Sequence, residues 1–351
     1  MAYTDIDDPS AHFQTALYTG NGGTQSITND GNSDLQPDLI WTKSRSDTSF
    51  HMLTNSTVGT GQKLYSNSAS AEESHANVVT AFNSDGFSIG SHSHINTNTY
   101  NYVGWQWKAN GGTTASNTVG NINSTVQANT TAGFSIVTYT GNGSANQTIG
   151  HGLGTVPKMV LFKNRSSGQY WYVYHIGTGN DTMAYLNLTN GAQALSSQFS
   201  TPTTTTFNVS NENSTFSGYN TSGNTYVAYV FADVQGYSKF GSYVGNGNAD
   251  GPFVYTGFKP AFLIVKAATT AGQNWLVQDS KRPAYNPTSG RLFPNTSGAE
   301  NTDTELPDFL SNGFKVRSTS YGTNKSGETY IYMAFAENPF TTSTGIPTTA
   351  R

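Results

Sequence analysis

Pro157-Lys158-Met159-Val160-Leu161-Phe162-Lys163, a proline leading an apolar run closed by lysine, recurs twice in this chain. It returns as Pro37-Asp38-Leu39-Ile40-Trp41-Thr42-Lys43 and as Pro260-Ala261-Phe262-Leu263-Ile264-Val265-Lys266. A strand-and-turn phrase precedes each occurrence: Tyr18-Thr19-Gly20-Asn21-Gly22, Tyr139-Thr140-Gly141-Asn142-Gly143 and Tyr243-Val244-Gly245-Asn246-Gly247. A closing strand follows each: Tyr102-Val103-Gly104-Trp105-Gln106-Trp107, Tyr226-Val227-Ala228-Tyr229-Val230-Phe231 and Tyr330-Ile331-Tyr332-Met333-Ala334-Phe335. Turn tyrosine to proline spans 19, 18 and 17 residues, and proline to closing tyrosine spans 65, 69 and 70. Landmarks held to that spacing are an internal threefold repeat.

Each landmark has a physical reading. Asn-Gly accepts the positive φ of a tight hairpin turn. Proline at the first residue of a strand forfeits no ladder bond. The apolar run behind it suits a strand covered on both faces. In the closing strand, alternation places Tyr226, Ala228 and Val230 on one face and Val227, Tyr229 and Phe231 on the other. Trp107, Phe231 and Phe335 are expected to be equivalent core residues. Short strands between frequent turns describe a two-sheet sandwich. The expected fold is therefore all-β, with three tandem β-sandwich domains of jelly-roll or lectin-like kind. Their expected bounds are 1–112, 118–235 and 236–340, with a flexible linker at 113–117, a tight second junction near Val234 and a polar tail over 341–351. Helical turns are expected at most at Ala71–Ser74 and Pro307–Leu310.

Composition narrows the function. Charged residues make up 11% of the 351, against about 25% in ordinary soluble proteins. Asn, Thr, Ser and Gly take their place, while aromatics reach 13%, so the chain has the means to bury a core. A net charge of −4 without a Lys/Arg cluster speaks against a nucleic-acid partner. There are no cysteines, which removes disulfides and thiolate metal sites. The N-terminal residues carry no apolar signal segment, and no apolar run approaches a membrane span of about 18 residues.

Candidate chemical motifs are few. Gly86-Phe87-Ser88-Ile89-Gly90 fits the spacing of a nucleophile elbow. Its serine, however, aligns with Asn208 and Lys315 in the other copies, and no helix is expected after it. Ser88 is read as a solvent-facing strand residue. His92-Ser93-His94 places two imidazoles on one face of a strand, a weak metal candidate because two ligands do not complete a site. Asn246 to Gly251 imitates a calcium loop but offers a single carboxylate, Asp250, and reads as a turn. Asp5, Asp7 and Asp8 are expected to cap the opening segment or to contact a neighbour. Tyr170, Trp171, Tyr172 and Tyr174 are candidate aromatic contacts for a glycan or a partner. No catalytic residue and no cofactor is assigned; the chain reads as non-enzymatic.

Several phrases resemble a family of tail-fibre-like or virion structural proteins from tailed phages of marine and aquatic bacteria. They are the opening Asp7-Asp8-Pro9-Ser10 through Gly22, Asp30-Gly31-Asn32-Ser33-Asp34-Leu35-Gln36-Pro37, Ala132-Gly133-Phe134-Ser135-Ile136-Val137, Tyr237 to Tyr243, and Met333-Ala334-Phe335-Ala336-Glu337-Asn338-Pro339-Phe340. Where such relatives often carry cysteine between the two tryptophans, Gln106 stands here. The resemblance implies a virion component, made in the bacterial host cytoplasm. It would be a tail fibre or capsid decoration acting through contacts with other virion proteins and with itself as a homotrimer. The alternative is a lectin-like module that attaches the particle to host surface glycan. A polysaccharide depolymerase, needing a carboxylate pair in a groove, ranks last.

Overall fold

The structure is a computed structural model that describes residues 3–195, 199–210, 217–283, 285–302 and 307–348. It is nearly all-β, and every pairing between its named strands is antiparallel. In each copy the closing strand lies between the opening strand and the proline strand. Thus Asn101–Trp107 pairs Phe13–Thr19 and Leu39–Ser44. Thr225–Phe231 pairs Phe134–Thr140 and Met159–Asn164, and Thr329–Pro339 pairs Ser238–Val244 and Phe258–Ala267. A return strand follows on the proline strand: Met52–Asn55, Tyr172–His175 or Leu276–Asp279. Three smaller sheets accompany the larger ones, and each shares an apolar cluster with the larger sheet of its own copy.

The alternation read from the closing strands is what builds the cores. Tyr226, Ala228 and Val230 belong to an outer core of copy two, against its own small sheet. Val227, Tyr229 and Phe231 point the opposite way, into a central cluster to which all three copies contribute. Val103, Trp105 and Trp107 do the same from copy one, and Ile331, Met333 and Phe335 from copy three. At the middle, Trp107, Phe231 and Phe335 form a triangle. Ring centroids lie 6.4 Å apart for Trp107–Phe231, 5.8 Å for Trp107–Phe335 and 6.1 Å for Phe231–Phe335. The three positions are equivalent by register, facing Phe13, Phe134 and Ser238. The copies are therefore not separate bodies along a tether. They close around one shared core.

The expected linker, 113–117, is flanked by an anchored stretch and itself ends in a strand. Residues 109–112 are tied to Asp38, a fully buried carboxylate. Its Oδ2 accepts from the amides of Ala109 (2.7 Å) and Gly111 (2.8 Å), and its Oδ1 from Gly112 (2.7 Å) and the Ser56 hydroxyl (2.5 Å). Ala115–Asn117 then forms a strand on Ser124–Asn129. At the second junction, Asp233 accepts from the Phe240 amide, and Val234 bridges to Ser238.

Other expectations also shift. Pro260 sits inside its strand, where register shifts mark a bulge, a place a sheet tolerates proline. Glu73–Ser74 and Asp308–Leu310 are strands, not helical turns. Ser93–Asn96 is a short helix where none was expected. Of the tail, Thr341 bridges to Pro347, and residues 349–351 lie outside the described residues.

One lock is repeated three times and escaped the sequence reading. The Asn96 side chain accepts from the Asn21 amide and donates to Asn21 Oδ1 and the Gly23 carbonyl, clamping the glycine turn. Asn220 clamps Asn142 and Ser144 in the same way, and Asn324 clamps Asn246 and Asn248.

Candidate functional site

The residues singled out from sequence do not assemble into a reactive centre. His92 caps the Ser93–Asn96 turn, its Nδ1 accepting from the His94 amide at 3.2 Å. Its Nε2 lies 2.8 Å from Lys63 Nζ. The His92 ring also packs edge-on against His75 and His94, at 4.7 and 5.0 Å. Burial, then the neighbouring Lys63 charge, pushes His92 down to about 4. His94 is lowered for the same reasons and packs on Phe50 and Tyr65. Lys63 Nζ thus fills the space beside Nε2 that a metal ion on this ring would need. Among the described residues no group of three or more His, Asp or Glu side chains is arranged to hold one.

The aromatic run is also placed differently from its expected role. Trp171, Tyr172 and Tyr174 are buried; Tyr170 alone is open, at 44% exposure. Trp171 faces the central core and the two tyrosines face the outer core of copy two. Of the four, only Tyr170 is placed to meet a glycan.

Ser88 lies in the strand Phe87–Ile89, opposite Ser26. Its hydroxyl bonds the Ser26 hydroxyl and receives from Asn83 Nδ2, each at 3.0 Å. No imidazole is among those partners. Asp250 pairs with Lys315 at 2.7 Å, and Asp7 and Asp8 hold Ser343 and Ser10.

What the fold does build is three junctions between copies, made by equivalent positions. The last residue of each return strand reaches the next copy's closing strand. Asn55 Nδ2 donates to the Tyr229 hydroxyl (3.1 Å), and His175 Nε2 donates to the Tyr332 carbonyl (3.0 Å). Trp105 Nε1 donates to Asp279 Oδ2 (2.9 Å). Copy three carries Met333 where the others have Trp105 and Tyr229; a thioether gives no strong hydrogen bond, so His175 turns to the main chain. The amides of Glu72, Ala192 and Glu300 donate to the carbonyls of Arg165, Ala268 and Arg45, at 2.9, 2.7 and 3.0 Å. Lys43, Lys163 and Lys266, the lysines that close the apolar runs, are all fully buried. Lys163 and Lys266 donate across junctions to the Ala69 and Thr189 carbonyls. Burial lowers Lys163 to about 7.

The junctions differ in what fills the groove beside each opening strand. Between copies one and two lies the strand Ser124–Asn129. Its Gln127 Nε2 donates to the hydroxyls of Ser56 (2.9 Å) and Thr57 (2.7 Å). Between copies two and three lies the Ile176–Thr178 turn, with Gly177 against Ser242. Between copies three and one the groove is open, with a volume of about 360 Å³. Phe13, Gln14 and Thr15 line one wall, and Ala261, Ser280 and Lys281 the other.

A family model described as a domain of unknown function (DUF7483) matches residues 8–339. The chain belongs to that family. No curated protein and no solved structure matches it.

Proposed function

We propose that this member of the DUF7483 family is a non-enzymatic structural component of a bacteriophage particle, tail-fibre-like or a capsid decoration. It is built of three sandwich units and works through assembly contacts. The observation that supports the reading is the closed ring itself. One chain carries threefold order in a shared core, and its buried polar groups serve the junctions between copies. A unit of that shape is suited to sit on a threefold mount without needing two sister chains. The threefold order expected from a homotrimer is thereby supplied within the chain, and a single-chain unit is the reading we adopt. Its place is the virion, and its partners are other virion proteins. Mass-spectrometric inventory of purified particles, with light scattering of the free protein, tests this. The reading expects the chain in the particle and the mass of one chain in solution; absence from particles removes it.

A glycan-binding role is the second reading, favoured by one cleft. Tyr3 and Tyr255, their hydroxyls 3.3 Å apart, flank about 500 Å³ of space with Asp233, Gln235 and Lys239. Tyr255 is 56% exposed. A ring face beside polar groups is a common sugar-stacking arrangement. Glycan-array binding lost in Tyr255→Ala would support it, and an unaffected array profile would remove it.

A further inference from the structure

The open groove between copies three and one is the odd member of a threefold set, and its counterpart shows what it is shaped to hold. In copy two, Ser124–Asn129 runs antiparallel along the outer edge of the opening strand, from Ser124 opposite Tyr139 to Asn129 opposite Phe134. Copy one presents the matching edge. Gly20 and Tyr100 form a hydrogen-bonded pair with the closing strand. By the alternation of an antiparallel ladder, the backbone groups of Phe13, Thr15 and Leu17 face away from it. Their equivalents Phe134, Ile136 and Thr138 pair with Asn129, Gln127 and Thr125. Among the described residues no hydrogen bond from a loop or side chain reaches those outward groups of Thr15 and Leu17.

Two more observations point the same way. Thr15 Oγ1 is buried without a partner among the described residues, an arrangement that costs stability unless something arrives to satisfy it. Leu17, next along the same edge, is an exposed large apolar side chain at 41%. The facing wall is prepared as well. Ser280 and Lys281 follow Asp279 just as Ser56 and Thr57, which hold Gln127, follow Asn55. Across the groove, Lys281 pairs with Asp30 at 2.9 Å. Both are largely exposed, and such a pair is worth little and is readily displaced.

We propose that this groove receives an extended segment of another polypeptide. The segment pairs antiparallel with Phe13 to Tyr18 as Ser124–Asn129 pairs with Phe134 to Tyr139; beyond it, Gln25 Nε2 already donates to the Thr19 carbonyl at 3.1 Å. The ligand class is a β-strand with small or apolar residues facing in and a carboxamide side chain directed at Ser280, the recognition mode of strand addition at an unpaired sheet edge. The inference rests on the groove and not on the virion reading.

The test uses the whole protein and a fluorescein-labelled peptide with the sequence of Ile122 to Thr130, titrated by anisotropy. Saturable binding is expected. It should weaken at least about tenfold in Thr15→Pro, because that amide faces the groove and its loss leaves the ladder to the closing strand intact. Ala261→Trp, which fills the groove from the opposite wall, should abolish binding while the melting temperature is held; it keeps the test decisive if the proline variant folds poorly. Absence of binding by the well-folded protein overturns the proposal, as does binding indifferent to both substitutions. Self-association of the free protein that Ala261→Trp removes assigns the groove to a second copy and also overturns it.

Discussion

Trp105 and Asp279 meet through a 2.9 Å hydrogen bond from the indole to the carboxylate, joining the first copy to the last. The contact is buried and not isolated. Arg282 bonds the same carboxylate oxygen at 2.6 Å and reaches Glu300 at 3.3 Å, which in turn holds Arg45 at 2.6 Å. No peptide bond links copy three to copy one, and this run of alternating charges crosses that seam. Among the described residues, junction one–two has a single pair, Glu72 with Arg165. Breaking one partner of a buried pair leaves the other charge uncompensated and costs about 3–5 kcal/mol. Glu300→Ala should therefore loosen the seam first, seen as faster hydrogen exchange in the Arg45 and Arg291 regions before global unfolding.

The shared hub predicts cooperativity. Trp107→Ala or Phe231→Ala should cost about 3–5 kcal/mol, and each should destabilise all three copies together. Calorimetry is expected to show one transition in the parent and in both variants. Three resolved transitions would mean that the copies fold independently.

Asp38 gathers four donors into one buried carboxylate. In Asp38→Ala those donors lose their acceptor, at about 1–3 kcal/mol for each that stays buried. The amides of Ala109 and Gly111 should then exchange freely, while that of Gly112 keeps Gln127 Oε1 as a second acceptor at 3.0 Å. Protection unchanged at Ala109 and Gly111 would refute the anchoring role.

Acid should act through the second junction. His175 is buried, donates from Nε2 to Tyr332 and accepts at Nδ1 from the Gly177 amide, so its ring is neutral. Burial pushes it down to about 4, below the ordinary value of about 6.5. The unfolded chain thus binds a proton that the folded chain does not. The contribution is present above pH 6.5 and is lost as pH falls from there towards 4. Urea unfolding between pH 7 and 4.5 should show that loss, and His175→Gln should reduce it by the share of this one ring, leaving that of the other lowered imidazoles such as His92 and His94.

Ser88→Ala should change stability by less than about 1 kcal/mol, since it deletes only half-exposed hydroxyl bonds. Loss of an ester- or peptide-hydrolysing activity in this variant would show that the nucleophile-elbow spacing has meaning here.

The repeat, the strands and the two-faced closing strand were all readable in the sequence, because spacing and alternation are local properties. Phe231 and Tyr226 fell on the correct faces from period two alone. That the inward faces meet one another was not readable. A strand apolar on both sides reads the same whether its second face meets a sheet of its own copy or two sister copies. The junctions were hidden for a different reason: Asn55, His175 and Asp279 do one task with three chemistries, so no motif repeats. Tyr170 to Tyr174 misled because consecutive aromatics can signal a sugar platform or a strand buried on both faces, and here only Tyr170 is left outside. The asparagine clamps repeat faithfully at Asn96, Asn220 and Asn324, and would have been found by aligning the polar positions of the copies as well as the apolar ones.

Asn55, His175 and Asp279 also separate this chain from an assembly of identical subunits. In a true trimer one codon would write all three junctions, and any substitution would appear three times at once. Here each junction is encoded separately. Mutation has been free to make one seam ionic, another a neutral imidazole contact and the third an amide–phenol contact, and to leave one groove vacant while its sisters filled. Joining three units in one chain converts symmetry from a constraint into a starting point.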